Sequence, residues 1–82
     1  MSSNDLKLRD LLVETLLIDE EQYLDENGPD AIDTWDSLAM VRIATAVEEA
    51  FGYGMTPEEM VSLDSIGDIK AILRSHDIRF DG

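Results

Sequence analysis

Residues 34–51 read TWDSLAMVRIATAVEEAF, and this stretch decides the fold. Met40, Ile43, Ala44, Val47 and Phe51 fall at i, i+3, i+4, i+7 and i+11, the spacing of one buried face of a helix. Asp36 or Ser37 can open that helix, because a short side-chain oxygen there accepts from a first-turn N–H that has no partner within the helix. Gly52 and Gly54 close it, since glycine takes the left-handed C-terminal turn at least cost. The spacing therefore predicts a helix over about 37–51.

The flanking sequence reads the same way. Over about 5–18, Leu8, Leu11, Leu12, Thr15 and Leu16 recur at helical spacing, with Asn4 or Asp5 available as N-cap. Downstream, Thr56-Pro57-Glu58-Glu59 is a capping box with proline at the first helical position, and Met55 and Met60 stand where a hydrophobic staple would pack. These residues predict a short helix over about 57–62. A last helix, about 66–76, follows Ser65 and carries Ile66, Ile69, Ile72 and Leu73. Asp68 lies near its positive end, and Lys70, Arg74 and His76 toward its negative end. Residues 19–35 form an acid-rich connection with Gly28-Pro29, and connections of that length are usually functional. No segment alternates as a strand would, and there is no repeat, low-complexity tract or linker. The expected fold is all-α: one domain over 1–82, a four-helix bundle of three main helices and one short one, with the long first loop packed across it.

Charge narrows the function. The 82 residues include six Lys and Arg against nineteen Asp and Glu, a formal net charge of −13. The expected pI is about 4.1. An apolar content of 44% is enough for a core and argues against wholesale disorder. A domain this small buries only roughly 60% of its unfolded surface, so its stability margin is thin. Such acidity argues against nucleic acid and anionic membranes, and for a partner with a basic docking patch. With no cysteine, the chain has no disulfide, no thiolate metal site and no thiol chemistry of its own. The start, Met1-Ser2-Ser3-Asn4-Asp5, lacks a basic-then-apolar signal, and no apolar run approaches membrane-spanning length. A cytoplasmic monomer is expected.

Thr34-Trp35-Asp36-Ser37-Leu38 is the most informative segment for chemistry. It sets a serine on the first turn of a helix, where unpaired N–H groups and the positive dipole end favour an anion such as a phosphate ester. Read from the residues alone, Asp36 and Ser37 also serve as ordinary helix caps, and Trp35 and Met40 as a staple.

The wider pattern resembles the acyl carrier protein family over nearly the whole chain. Asp36-Ser37-Leu38 is similar to the motif whose serine carries 4′-phosphopantetheine. Val41, Val47-Glu48-Glu49 and Phe51 match the helix that follows it. Thr56-Pro57-Glu58-Glu59, Leu63, Ser65-Ile66 and Ala71-Ile72 continue the match without a gap to Leu73. The resemblance implies a phosphopantetheine arm, taken from coenzyme A, on Ser37, with Asp36 and Leu38 beside it. It implies a carrier of acyl or aminoacyl thioesters, and not an enzyme. Its partners would be a phosphopantetheinyl transferase and the loading and condensing enzymes of fatty-acid, polyketide, nonribosomal-peptide or modified-lipid synthesis. The positions matching the family's acyl pocket are Met40, Ile43, Ala44, Val47, Met55, Met60 and Leu63. Met60 replaces a small residue of better-known carriers, which implies a shallower pocket. The partner face would hold Leu38, Ala39, Val41, Arg42, Glu48 and Glu49. Ala39, Arg42 and Glu49 are expected on one exposed side, with Ala39 and Arg42 standing where fatty-acid carriers have acids. Thr34-Trp35 before the motif and Ala39 after it look more like a discrete carrier of a specialised pathway than a housekeeping one.

Other readings fall away on the residues. His76 has no nucleophile-elbow sequence around Ser37 to make a hydrolase triad. The Asp25-Glu26-Asn27-Gly28 run fails as a calcium loop, because Tyr23 stands where the first acid belongs and Thr34 where the bidentate glutamate belongs; no dedicated metal site is expected. The rival from another class is an acidic helical adaptor that binds basic proteins and is never modified.

Overall fold

The computed structural model describes residues 3–80. Four α-helices follow in chain order: α1 (Ser3–Leu16), α2 (Ser37–Phe51), α3 (Pro57–Val61) and α4 (Ile66–Arg74), with one 3-10 turn at Glu20–Gln22 in the first loop. The fold is all-α, as expected, and the described residues contain no strand. Leu8, Leu12 and Leu16 of α1, Ile43 and Val47 of α2, and Ile66, Ile69 and Leu73 of α4 are fully buried, joined by Ile32 and Leu63 from the connections. Lys7 Nζ donates to the Ala50 carbonyl, and Thr34 Oγ1 to the Leu16 carbonyl. The start of α1 thus meets the end of α2 and the reverse, so the two run antiparallel.

α2 occupies the range read from its sequence, but its buried face is rotated from the expected one. Ala39, Ile43 and Val47 line the core at i, i+4 and i+8, while Met40, Ala44 and Phe51 are half-buried beside them. Ala39, expected on the exposed face with Arg42, is only 5% exposed. A methyl group is small enough to let the helix approach the core at its first turn, and that approach sets the rotation.

α1 also departs from expectation at both ends. Asn4 and Asp5 lie inside the helix, not at its cap: Asn4 donates to the Arg79 carbonyl, and buried Asp5 accepts from the Tyr23 hydroxyl at 2.8 Å. The helix stops at Leu16, where Leu17 takes a left-handed φ of 56° and Ile18 N–H closes back on the Val13 carbonyl at 3.3 Å. This is the Schellman ending that usually holds glycine, and a leucine there costs roughly 1–2 kcal/mol. The same ending recurs after α4: Asp77 has φ 67°, and Ile78 N–H reaches the Leu73 carbonyl. α4 proper ends at Arg74 for that reason, two residues before the expected boundary. α3 is likewise one residue shorter than expected.

The long first loop is ordered by what it buries and what it caps. Ile18, Tyr23, Ile32 and Trp35 pack into the core. The Asn27 and Asp25 carbonyls accept from Ile66 N–H and Gly67 N–H, so the loop satisfies first-turn donors of α4. At Gly28 an added Cβ would sit 1.8 Å from the Asp64 carbonyl oxygen, which only glycine allows. Lys70, read as a dipole residue near the end of α4, instead lies mid-helix and is 8% exposed. It pairs with Asp5 at 3.1 Å and Asp25 at 2.6 Å, and stands 4.8 Å over the Tyr23 ring.

Candidate functional site

Ser37 stands at the first position of α2, exposed, at the end of the loop. Of the two residues able to cap this helix, Asp36 does so: its extended backbone (φ −116°, ψ −171°) aims Oδ1 at Ala39 N–H, 2.8 Å away. Among the described residues the Ser37 hydroxyl enters no hydrogen bond. It is an uncommitted alcohol at the positive end of a helix fifteen residues long. Such a hydroxyl suits conversion to a phosphodiester, since the helix end stabilises the added charge and no structural hydrogen bond is lost. Trp35 anchors the preceding segment in the core, with its indole N–H buried and unpartnered.

Around Ser37, α2 presents apolar side chains to solvent. Leu38 is 59% and Val41 55% exposed, and Val61 on α3 is exposed as well. Arg42, Glu48 and Glu49 are exposed on α2; Ala39, in the core, leaves this set. Sequence reading missed Leu17, which is 83% exposed at the end of α1. With Thr34, Asp36, Leu38 and Arg42 it borders a cleft of about 210 Å³. Nothing in the local sequence marks a leucine for a left-handed turn.

The residues expected to line an acyl pocket are all drawn to one side of α2. Ile43, Val47, Met55 and Leu63 are buried, and Met40, Ala44 and Met60 are half-buried against the same core. A recess of about 130 Å³ opens nearby, and of the expected set only Ala44 and Met55 line it, with Thr45, Glu48 and Gly54 at its rim.

His76 has partners other than Ser37. Its ring stacks on Tyr53 with centroids 4.0 Å apart, and Nε2 lies 3.9 Å from Glu59. Tyr53 donates its hydroxyl to the same carboxylate. Backbone donation from Thr56, then the Tyr53 hydroxyl, holds the Glu59 carboxyl below its ordinary range, while donating that hydrogen bond to a carboxylate pushes the Tyr53 phenol up. The arrangement clamps the end of α4 to α3.

A profile of the phosphopantetheine attachment site matches residues 7–73, most of the chain. Among curated proteins, an acyl carrier protein of Clostridium acetobutylicum is 29% identical over 76 residues, covering 85% of this chain and 91% of its own. An acyl carrier protein of Coprothermobacter proteolyticus is 27% identical over 70 residues, covering 85% of each.

Proposed function

Because the chain belongs to the phosphopantetheine attachment-site family, we propose that Ser37 bears the prosthetic arm and that the protein carries acyl or aminoacyl intermediates on it. Membership brings the 4′-phosphopantetheine group and the role of carrier rather than catalyst. The observation that carries the assignment to Ser37 is its exposed, uncommitted hydroxyl, left free because Asp36 caps the helix. The arm supplies a thiol, which a chain without cysteine lacks.

No basic side chain hydrogen-bonds Ser37 among the described residues, so loading falls to a phosphopantetheinyl transferase acting with coenzyme A. In that transfer the Ser37 oxygen forms the new P–O bond, the pyrophosphate P–O bond breaks, and adenosine 3′,5′-bisphosphate departs. The serine proton passes to the transferase's base. The face for this and later enzymes comprises Leu38, Val41, Arg42, Glu48 and Glu49, whose exposed apolar and acidic groups suit an apolar patch rimmed with basic residues. Cargo would be sheltered between α2 and α3 by parting Met40, Met55 and Met60, the flexible side chains of that region. Thr34, Trp35, Ala39 and Arg42 favour a discrete carrier of a specialised polyketide, nonribosomal-peptide or modified-lipid route over a housekeeping fatty-acid carrier. At Ala39 the acid of the housekeeping pattern would be buried here.

Incubation with coenzyme A and a broad-specificity phosphopantetheinyl transferase tests the reading by intact mass. Gain of one phosphopantetheine that maps to Ser37 is the expected result. No gain, with a control carrier modified in parallel, overturns it in favour of the unmodified acidic adaptor.

A further inference from the structure

We propose that the cleft between the end of α1 and the start of α2 seats the pantetheine arm, with Arg42 drawing in its phosphodiester and Leu17 and Leu38 flanking its geminal methyl groups. The inference rests on Ser37 as the attachment residue and adds where the arm lies when no enzyme holds it.

Position comes first. The cleft of about 210 Å³ is bordered by Asp36 and Leu38, the two neighbours of Ser37, so a flexible arm on the serine oxygen need only fold back past them to enter it. Its far wall is Leu17, an apolar side chain 83% exposed on a backbone turned left-handed. That corner is fixed: Ile18 N–H closes on the Val13 carbonyl, and Thr34 ties the Leu16 carbonyl to the segment leading into Ser37. Leu17 is thus held against the start of α2, where an apolar ligand would cover it.

Charge comes next. Arg42 is the only Lys or Arg between Arg9 and Lys70. Lys70 is committed to Asp5 and Asp25, and Arg9 to Asp10 and Glu20, whereas Arg42 makes no ion pair among the described residues. It lies five residues after Ser37, about 7.5 Å along the helix axis and roughly 140° around it, so its long side chain must reach back over Leu38 and Ala39 to meet the phosphate. A phosphodiester adds negative charge to a chain already at −13, beside Asp36. A free acidic partner would have to approach against that net charge. A tethered anion does not, because its effective concentration is set by its link to Ser37.

Chemistry agrees with both. The arm runs from phosphate to a dimethyl-bearing carbon, a hydroxyl and two amides. The cleft offers a guanidinium, leucine methyl groups, and the oxygens of Thr34 and Asp36 as acceptors. The cleft is half open to solvent, so an enzyme can withdraw the arm from it.

The test uses the full chain, labelled with ¹⁵N and ¹³C, before and after loading with coenzyme A and the transferase. Absence of the mass gain overturns the Ser37 assignment itself. With the gain in hand, the expected result is a shift of the Leu17 and Leu38 methyl and Arg42 Nε–H resonances, and NOEs from the arm's geminal methyls to both leucines. Leu17→Gly, which suits the left-handed backbone, should keep its circular dichroism and melt no lower than the parent yet lose the NOEs to Leu38. Arg42→Gln should move the ³¹P resonance of the loaded chain. Perturbations confined to residues 36–38, with no NOE and an unmoved ³¹P resonance in Arg42→Gln, overturn the seat and leave Arg42 to the enzyme-docking face alone.

Discussion

At the start of α2 two adjacent residues divide two tasks that either could perform. Asp36 caps the helix through a 2.8 Å bond to Ala39 N–H, which frees the Ser37 hydroxyl for chemistry. Substitutions at the two positions should therefore behave in opposite ways. Ser37→Ala should abolish phosphopantetheine loading by intact mass while its melting temperature moves by less than about 4 °C, because an exposed side chain without a structural bond carries little stability. Asp36→Ala should lower stability by about 1 kcal/mol in urea denaturation, the usual loss on removing a helix cap. A Ser37→Ala protein that loads, or that melts far lower than the parent, would contradict the division. The same scale explains Ala39. Its methyl group lies in the core, so an acid there would alter packing as well as the docking face.

Besides the Asn27 and Asp25 carbonyls that accept from Ile66 and Gly67, two contacts hold the first loop to α4 and the segment leading into it. One is the close approach of Gly28 to the Asp64 carbonyl. Gly28→Ala sets a Cβ against backbone that cannot swing aside, and a loss of roughly 2–3 kcal/mol in chemical denaturation is expected. The other is Lys70 with Asp5, Asp25 and Tyr23. Burial pushes the Asp5 carboxyl up, but donation from Tyr23 and the Lys70 ammonium outweigh it and hold the group below its ordinary 3.8. Burial and the bond to Asp5 together push the Tyr23 phenol well above its usual range. A carboxylate with a depressed folded-state pKa stabilises the fold above its unfolded pKa, and that stability is lost as pH falls through the folded value. Acid unfolding should therefore steepen below pH 3.8, and Asp5→Asn should flatten that limb while lowering stability at pH 7. Lys70→Met removes the ammonium that Asp5 and Asp25 share and should cost roughly 3 kcal/mol, as breaking one side of a buried ion pair does. An Asp5→Asn acid limb identical to the parent's would exclude Asp5 as its source.

Across the whole molecule, ten acids (Asp10, Glu14, Asp19, Glu20, Glu21, Asp25, Glu26, Asp30, Asp33 and Asp36) separate Arg9 from Arg42 with no intervening Lys or Arg. Folding draws these charges together, and their repulsion works against a core already small for its surface. Screening acts within a Debye length of about 30 Å at 0.01 M and about 8 Å at 0.15 M salt, so moderate ionic strength should relieve much of the repulsion. The melting temperature should rise by about 5 °C from low to physiological NaCl, equivalent to ~1 kcal/mol, and further with divalent cations. Scanning calorimetry across that range measures it directly, and a flat response would show that the ion pairs of Lys70 and Arg9 already balance the field.

Periodicity was enough to locate the helices, and caps to place the starts of α2, α3 and α4. The α2 range, the Thr56–Glu59 capping box and the left-handed Gly52 depend on bonds within a few residues, so their signals are local. The Asp-Ser-Leu segment and its distance from the following helix features were equally local, which is why the family could be read from the chain. Tertiary structure decided what depends on distant partners. The rotation of α2 follows from how close the core can come to Ala39, and spacing alone leaves two neighbouring faces of the helix as candidates. Lys70 shares the buried face of Ile66, Ile69 and Leu73, but its burial requires two carboxylates from elsewhere in the chain, 45 and 65 residues away. The exposed left-handed Leu17 carries no sequence mark, because leucine is not a residue such a turn favours. Only the closing bonds to Val13 and from Thr34 reveal that its turn is tied to the segment leading into α2.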